Sequence, residues 1–175
     1  MKIKVNKHVE LFINEKTKIN DKIISFSKIK EKDAAVVLLF KRKKNKIYLL
    51  IEYQYRPVIK KYIYEAIAGH IEDNEDVVSG AEREIREETG YIVKLNKPVL
   101  YAYSAPGIST QREFFFIKEI KNEKKRNKEL DKDEIIKLKW ISLEKAIDMI
   151  RKNKIKDAKT IILIFYLYYK IKDLI

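Results

Sequence analysis

The stretch Gly69–Tyr91, GHIEDNEDVVSGAEREIREETGY, decides how the rest of the chain is read. Gly69 is followed after five residues by Glu75, and after seven more by Arg83-Glu84-Ile85; Glu87-Glu88, Thr89 and Gly90 complete the run. With Gly, Glu and Arg each at roughly 6% of residues, seven fixed matches at this spacing arise by chance on the order of 10⁻⁹ times per starting position. From about Asp76 to Thr89 the composition is helical, without proline, and Gly90 is a C-terminal stop. On that helix Glu84, Glu87 and Glu88 fall at i, i+3 and i+4 and share one face. Val78, Ala81 and Ile85 form a separate apolar stripe that can pack on a sheet. Neighbouring carboxylates repel one another and weaken the helix unless positive charge sits on them. A hard divalent cation such as Mg²⁺ supplies it with oxygen ligands and also favours phosphate partners. Ion pairing to Arg83 and Arg86 is the plainer account of a charged helix face, but it leaves the glycines and Glu75 at their fixed spacings unexplained.

The whole chain sets bounds on that reading. Its 175 residues suit one hydrophobic core, and 46% hydrophobic with 37% charged residues describe a folded chain, not a disordered one. Without cysteine, disulfides and thiolate metal sites are excluded. The start MKIKVNKHVE lacks the apolar run of a signal peptide, and Ile161–Tyr169 is too short to span a bilayer, so a reducing cytoplasm is the expected setting. The net charge of +13 is mostly lysine spread along the chain, which reads as a compositional bias more than a nucleic-acid stripe. A diffuse positive field still draws in phosphorylated substrates.

Taken in order, residues 1–33 read as short strands around an Asn20-Asp21 turn, too polar for a core of their own and suited to pack on the rest or on another subunit. Ala34–Phe40 (AAVVLLF) is a continuous apolar run, as in a strand buried on both faces. Lys41–Asn45 is a hairpin tip, Lys46–Tyr53 returns, and Tyr62–Ile67 is a further strand leading into the motif. Tyr91–Tyr103 reads as one or two strands broken near Asn96-Lys97-Pro98, and Ser104–Gly107 is a turn. Arg112–Ile120 is a strand whose Phe114–Phe116 run belongs to the core. Lys121–Asp133 is a charge run expected to be a mobile loop, Ile135–Trp140 a strand with Trp140 half-buried, Ser142 the N-cap of a helix over 143–152, and Asp157 the cap of a last helix.

The spacing G-x5-E-x7-R-E-[ILV]-x-E-E-x-G in Gly69–Gly90 resembles the Nudix box with every fixed position filled; Tyr91 stands where an aliphatic residue is usual. Gln54-Tyr55-Arg56-Pro57, then Glu65-x-x-Ala68-Gly69, then the box, with Pro106 about fifteen residues beyond it and Asp157-Ala158-Lys159-Thr160 near the end, resembles the ADP-ribose pyrophosphatase branch. The resemblance implies an α/β fold, an α/β/α sandwich of mixed sheets carrying the box helix, with a small N-terminal antiparallel sheet. The division is 1–33 for the N-terminal β segment, which helps form a dimer and the substrate site, and 34–175 for the Nudix hydrolase domain. Departures are Ile67 in place of the proline before Ala68-Gly69, and Ala105 and Gln111 where an acidic residue is usual.

The implied chemistry is hydrolysis of a diphosphate bond, ADP-ribose giving AMP and ribose 5-phosphate. Glu84, Glu87 and Glu88, with the Ala68 carbonyl, would hold one to three Mg²⁺ or Mn²⁺ ions. A loop carboxylate would accept the proton of the attacking water: Glu134, with Asp131 and Asp133 as alternatives. Arg56, Glu65, His70, Pro106 and Gly107 would stand on the substrate side. Gly69, Glu75, Arg83 and Gly90 would shape the motif, Glu75 pairing with Arg83. The adenine-stacking residue stays open among Phe12, Phe26 and nearby tyrosines. A homodimer without membrane or nucleic-acid partners is implied. The alternatives are another nucleotide-sugar such as GDP-mannose, for which Ala105 and Gln111 argue, or an RNA-directed Nudix protein using the basic surface.

Overall fold

The computed structural model describes residues 1–127 and 136–172. These residues form ten strands and three helices. The organising strand is β4 (Ala34–Lys43). Its even positions Val36, Leu38 and Phe40 face one core layer, and Ala35, Val37 and Leu39 face the other. A run apolar at every position can satisfy both layers only as a central strand, and all six residues are buried.

β4 turns through Lys44-Asn45 into β5 (Lys46–Arg56), both turn residues having positive φ, the hairpin geometry that matches strand twist. β5 pairs with β10 (Ile136–Ser142) and with β6 (Lys61–Glu65), while β4 pairs with β7 (Ile67–His70) and, in parallel, with β9 (Arg112–Glu119), which carries β8 (Leu100–Tyr103) at its edge. One face is covered by α1 (Val77–Thr89) through Ala81 and Ile85. The other is covered by α2 (Leu143–Arg151) and α3 (Ala158–Lys172) through Ala146, Met149, Leu163, Ile164 and Leu167. This is the expected α/β/α sandwich on a mixed sheet.

β1 (Lys2–Lys4), β2 (Val9–Ile19) and β3 (Lys22–Glu31) form the separate antiparallel sheet, with Asn20 and Asp21 at positive φ in its turn. It docks by its inner end. Ile29 donates its N–H to the Ile108 carbonyl at 2.6 Å, Thr110 donates to the Ile29 carbonyl at 3.0 Å, and the Ser109 hydroxyl donates to Glu31 at 2.5 Å.

The structure corrects three expectations. Tyr62–Ile67 is not one strand: at Ala66 the chain leaves β5 and joins β4, and the Ala66 N–H goes to Thr160 Oγ1 at 2.6 Å. Tyr91–Val99 makes one isolated bridge, Tyr91 to Lys125, and no strand, because Glu82 of α1 takes the Leu95 N–H at 2.8 Å and the Lys94 ammonium at 2.8 Å. The polar segment 121–127 is tied down by its backbone: Ile92 donates to the Lys124 carbonyl at 2.9 Å, and Arg126 to that of Gly90 at 2.8 Å. The remainder of that run, and Ile135, lie outside the described residues. Ser142 and Asp157 do cap their helices.

Candidate active site

Helix α1 is fixed at both ends, by Asp76 as its N-cap and by Gly90, the expected stop. Asp76 accepts hydrogen bonds from the Val78 and Ser79 N–H groups at 2.9 and 3.1 Å, and Gly90, at φ 77°, returns its N–H to the Arg86 carbonyl at 2.8 Å. With the apolar stripe on β4 and β7, the carboxylate face is turned along β7. There Ala68, Gly69 and His70, together with Lys7, His8, Glu72, Arg83, Glu84, Glu87 and Glu88, line a polar cleft of about 180 Å³.

Gly69 lies against the Glu84 carboxylate so closely that a Cβ would occupy the carboxylate's own space. The two residues are therefore matched: absence of a side chain on β7 lets Glu84 reach the cleft while buried. Arg83 ties the loop to the helix. Its Nε and Nη2 each donate to Glu75 at 3.0 Å, Nη2 also donates to the His70 carbonyl at 2.9 Å, and Nη1 donates to Glu84 at 2.7 Å and Glu87 at 3.0 Å. The Arg83 hydrogen bond holds the Glu75 carboxyl below the usual carboxylate range. Arg83 itself is held well above its ordinary value, chiefly by Glu75 and then against the opposing effect of burial.

Arg56 and Glu65 meet as a two-pronged pair, Nε to Oε1 at 2.6 Å and Nη2 to Oε2 at 2.8 Å, with Glu65 almost wholly buried. The hydrogen bonds to Glu65 raise the Arg56 pKa against the opposing effect of burial, and the charges of Glu88 and Asp157 add to that; Arg56 does not itself line the cleft. Pro106 and Gly107 stand elsewhere, in the turn before β9 that leads into the docking contact with β3. Asp131, Asp133 and Glu134 lie outside the described residues.

Sequence reasoning missed Lys7 and His8, which line the cleft from the β1–β2 connection. No spacing rule connects them to the motif; the sole signal was that the chain has only two histidines. Glu113 of β9 is a buried carboxylate that does not line the cleft. Burial pushes the Glu113 carboxyl above the usual range; Lys159 opposes this, and Asp157 and Glu31 reinforce it.

The donor set fits a hard divalent cation, since Glu84, Glu87 and Glu88 with the Ala68 backbone present oxygen only and two of the three carboxylates are buried. Among the described residues no three acidic or histidine side chains converge as a ready-made cage. Arg83 holds Glu84 and Glu87 in their present positions, and Arg86 also donates to Glu87 at 3.1 Å.

A NUDIX domain model matches residues 30–163, and the chain belongs to that family, as an enzyme of the Nudix hydrolase class. An ADP-ribose pyrophosphatase of Bacillus subtilis (strain 168) is 30% identical over 164 residues, 94% of this chain and 87% of its own length. A methanol dehydrogenase activator of Bacillus methanolicus is 32% identical over 76% of this chain and 71% of its own length. A GDP-mannose pyrophosphatase of Yersinia pestis (strain Pestoides F) is 30% identical over 77% and 70%. Among the described residues no helix is long and apolar enough to cross a membrane.

Proposed function

We propose that the protein hydrolyses the diphosphate bond of a nucleoside diphosphate sugar, ADP-ribose foremost, releasing AMP and ribose 5-phosphate with Mg²⁺ as the cation. The observation that carries the reading is the gathering of Glu84, Glu87 and Glu88 with Ala68 and Gly69 in one polar cleft. Support for ADP-ribose over other sugars comes from Arg56, Ala68 and the Asp157–Thr160 segment, and from the extent of the likeness to the Bacillus subtilis enzyme. GDP-mannose is the second reading, favoured by Ala105 and Gln111 where an acidic residue would mark the first.

Glu84, Glu87, Glu88 and the Ala68 carbonyl would hold the cation, which when bound acidifies a water and offsets charge growing on the phosphate oxygens. The chain's own residues prepare that geometry. Arg83, anchored by Glu75, sets the direction of Glu84 and Glu87. Gly69 leaves Glu84 its room. Thr160 and Asp157 fix the kink at Ala66 from which β7 runs to Ala68. Glu134, or Asp131 or Asp133, takes the proton from the attacking water. Arg56, steadied by Glu65, meets the substrate's diphosphate or its terminal ribose.

In the same reading the enzyme is a cytoplasmic homodimer whose N-terminal segment, 1–33, meets a second copy. Ile19, Ile23, Ile24 and Phe26 of that sheet are exposed apolar side chains suited to it. The test is kcat/KM with Mg²⁺ across ADP-ribose, GDP-mannose, dinucleotides and capped or triphosphorylated RNA. ADP-ribose is expected to lead; a flat profile, or a preference for RNA, would overturn the reading.

A further inference from the structure

Both histidines of the chain meet in the cleft: the rings of His8 and His70 stack with centroids 4.6 Å apart and planes 4° from parallel. His8 comes from outside the family match, which begins at residue 30. Its backbone is held on two sides, the N–H donating to Asn6 Oδ1 at 2.8 Å and the carbonyl accepting from the Lys32 N–H at 3.1 Å. Its ring nitrogen Nδ1 is nevertheless buried without a hydrogen-bond partner among the described residues. A buried polar nitrogen left unpaired costs folding free energy. The imidazole is thus placed by the stack at the expense of stability, which directs attention to what it does in the cleft.

The lining of the cleft is of two kinds: the carboxylates of α1, and the nitrogen-bearing side chains of Lys7, His8 and His70. A diphosphate held against a cation on the carboxylates still has phosphate oxygens to spare, and these require N–H donors. Of the four N–H-bearing side chains among the described lining residues, Arg83 already serves Glu75, Glu84, Glu87 and the His70 carbonyl. Lys7 stands 75% exposed, and its one ion pair among the described residues is a long 3.6 Å contact to Glu72.

We propose that the Lys7-His8 turn is a substrate-positioning element: the His8 imidazole, held flat by His70, and the Lys7 ammonium bind phosphate oxygens of the nucleoside diphosphate that the cation leaves free. The proposal rests on the reading above and adds to it an N-terminal determinant of substrate affinity. Holding the diphosphate by these donors as well as by the cation fixes its direction in the cleft without adding a step to the reaction.

The test is His8→Phe, which keeps a ring for the stack and removes both nitrogens. KM for ADP-ribose should rise roughly ten- to a hundredfold, the worth of a hydrogen bond to a charged oxygen, with kcat within a factor of about three, and Tm should hold or rise because an unpaired nitrogen is gone. Lys7→Ala, at an exposed site, should raise KM independently. A second readout needs no turnover: in EDTA, ADP-ribose added to the wild type should shift the imidazole NMR signals of His8 and His70 together, and His8→Phe should bind it correspondingly more weakly. His8→Phe and Lys7→Ala with wild-type KM, and His8 signals unmoved at saturating ligand, would overturn the proposal while leaving hydrolysis intact. Failure of the wild type to hydrolyse any nucleoside diphosphate sugar would instead overturn the reading it rests on.

Discussion

The two sheets of this protein solve the same problem differently. In the sandwich, β4 and β9 are apolar on both faces and Val36, Leu38, Leu39, Phe115 and Phe116 are enclosed by helices. In the N-terminal sheet the alternation is weak, β3 is exposed along most of its length, and Ile23 stands 73% exposed. Burial worth about 1.5–3 kcal/mol for each large apolar side chain holds the first together. Backbone hydrogen bonds at Ile29 and Thr110 and a few ion pairs, each worth little when exposed, attach the second. The carboxylates proposed to hold the cation accordingly ride on α1, braced by the sandwich, while the weaker sheet supplies Lys7 and His8.

The largest effect expected lies on the sandwich side. Glu88→Gln should lower turnover by several orders of magnitude with the far-ultraviolet circular dichroism unchanged; near-normal turnover would remove Glu88 from the site. Next comes a direct contrast between the sheets. Phe115→Ala should cost about 3–5 kcal/mol of unfolding free energy, and Phe26→Ala in the monomer below about 1 kcal/mol; equal losses in denaturant titrations would contradict the contrast, and a concentration-dependent loss for Phe26→Ala would place it in a dimer interface.

Gly69→Ala should act on activity more than on stability, because the new methyl displaces the Glu84 carboxylate. A tenfold or greater fall in kcat, with Tm within about 4 °C, is expected for a disturbance near 1 kcal/mol; unchanged kcat would mean that Glu84 relocates without consequence. The smallest effect concerns Glu113. Its folded-state pKa is raised by burial, so the folded state favours the protonated form, and its penalty is absent below the unfolded pKa and sets in as pH rises through the folded one. Glu113→Gln should therefore raise Tm by a few degrees near pH 7–8 and give no gain near pH 3. A gain independent of pH would assign the effect to something other than the charge.

Much of the sandwich and half of the cleft were legible in the sequence because they depend on local pattern. The apolar run 34–40 reads as a central strand, Asp76 and Gly90 mark the ends of α1, and helical periodicity alone puts Glu84, Glu87 and Glu88 on one face. What escaped depends on partners distant in sequence. The break at Ala66 exists because Thr160, 94 residues away, takes its N–H. Tyr91–Val99 fails to form a strand because a helix carboxylate, Glu82, takes the Leu95 N–H. His8 reaches the cleft through a stack with His70 that no periodicity encodes.

The claim beneath all of this is that the carboxylate face of α1 holds a divalent cation. Titrating metal-stripped protein with Mn²⁺ and counting free ion by electron paramagnetic resonance, for the wild type and Glu88→Gln with ADP-ribose present, measures it directly. Saturable Mn²⁺ binding by the wild type, weakened at least tenfold in a folded Glu88→Gln variant, is the expected result. Equal binding by the two proteins would contradict it.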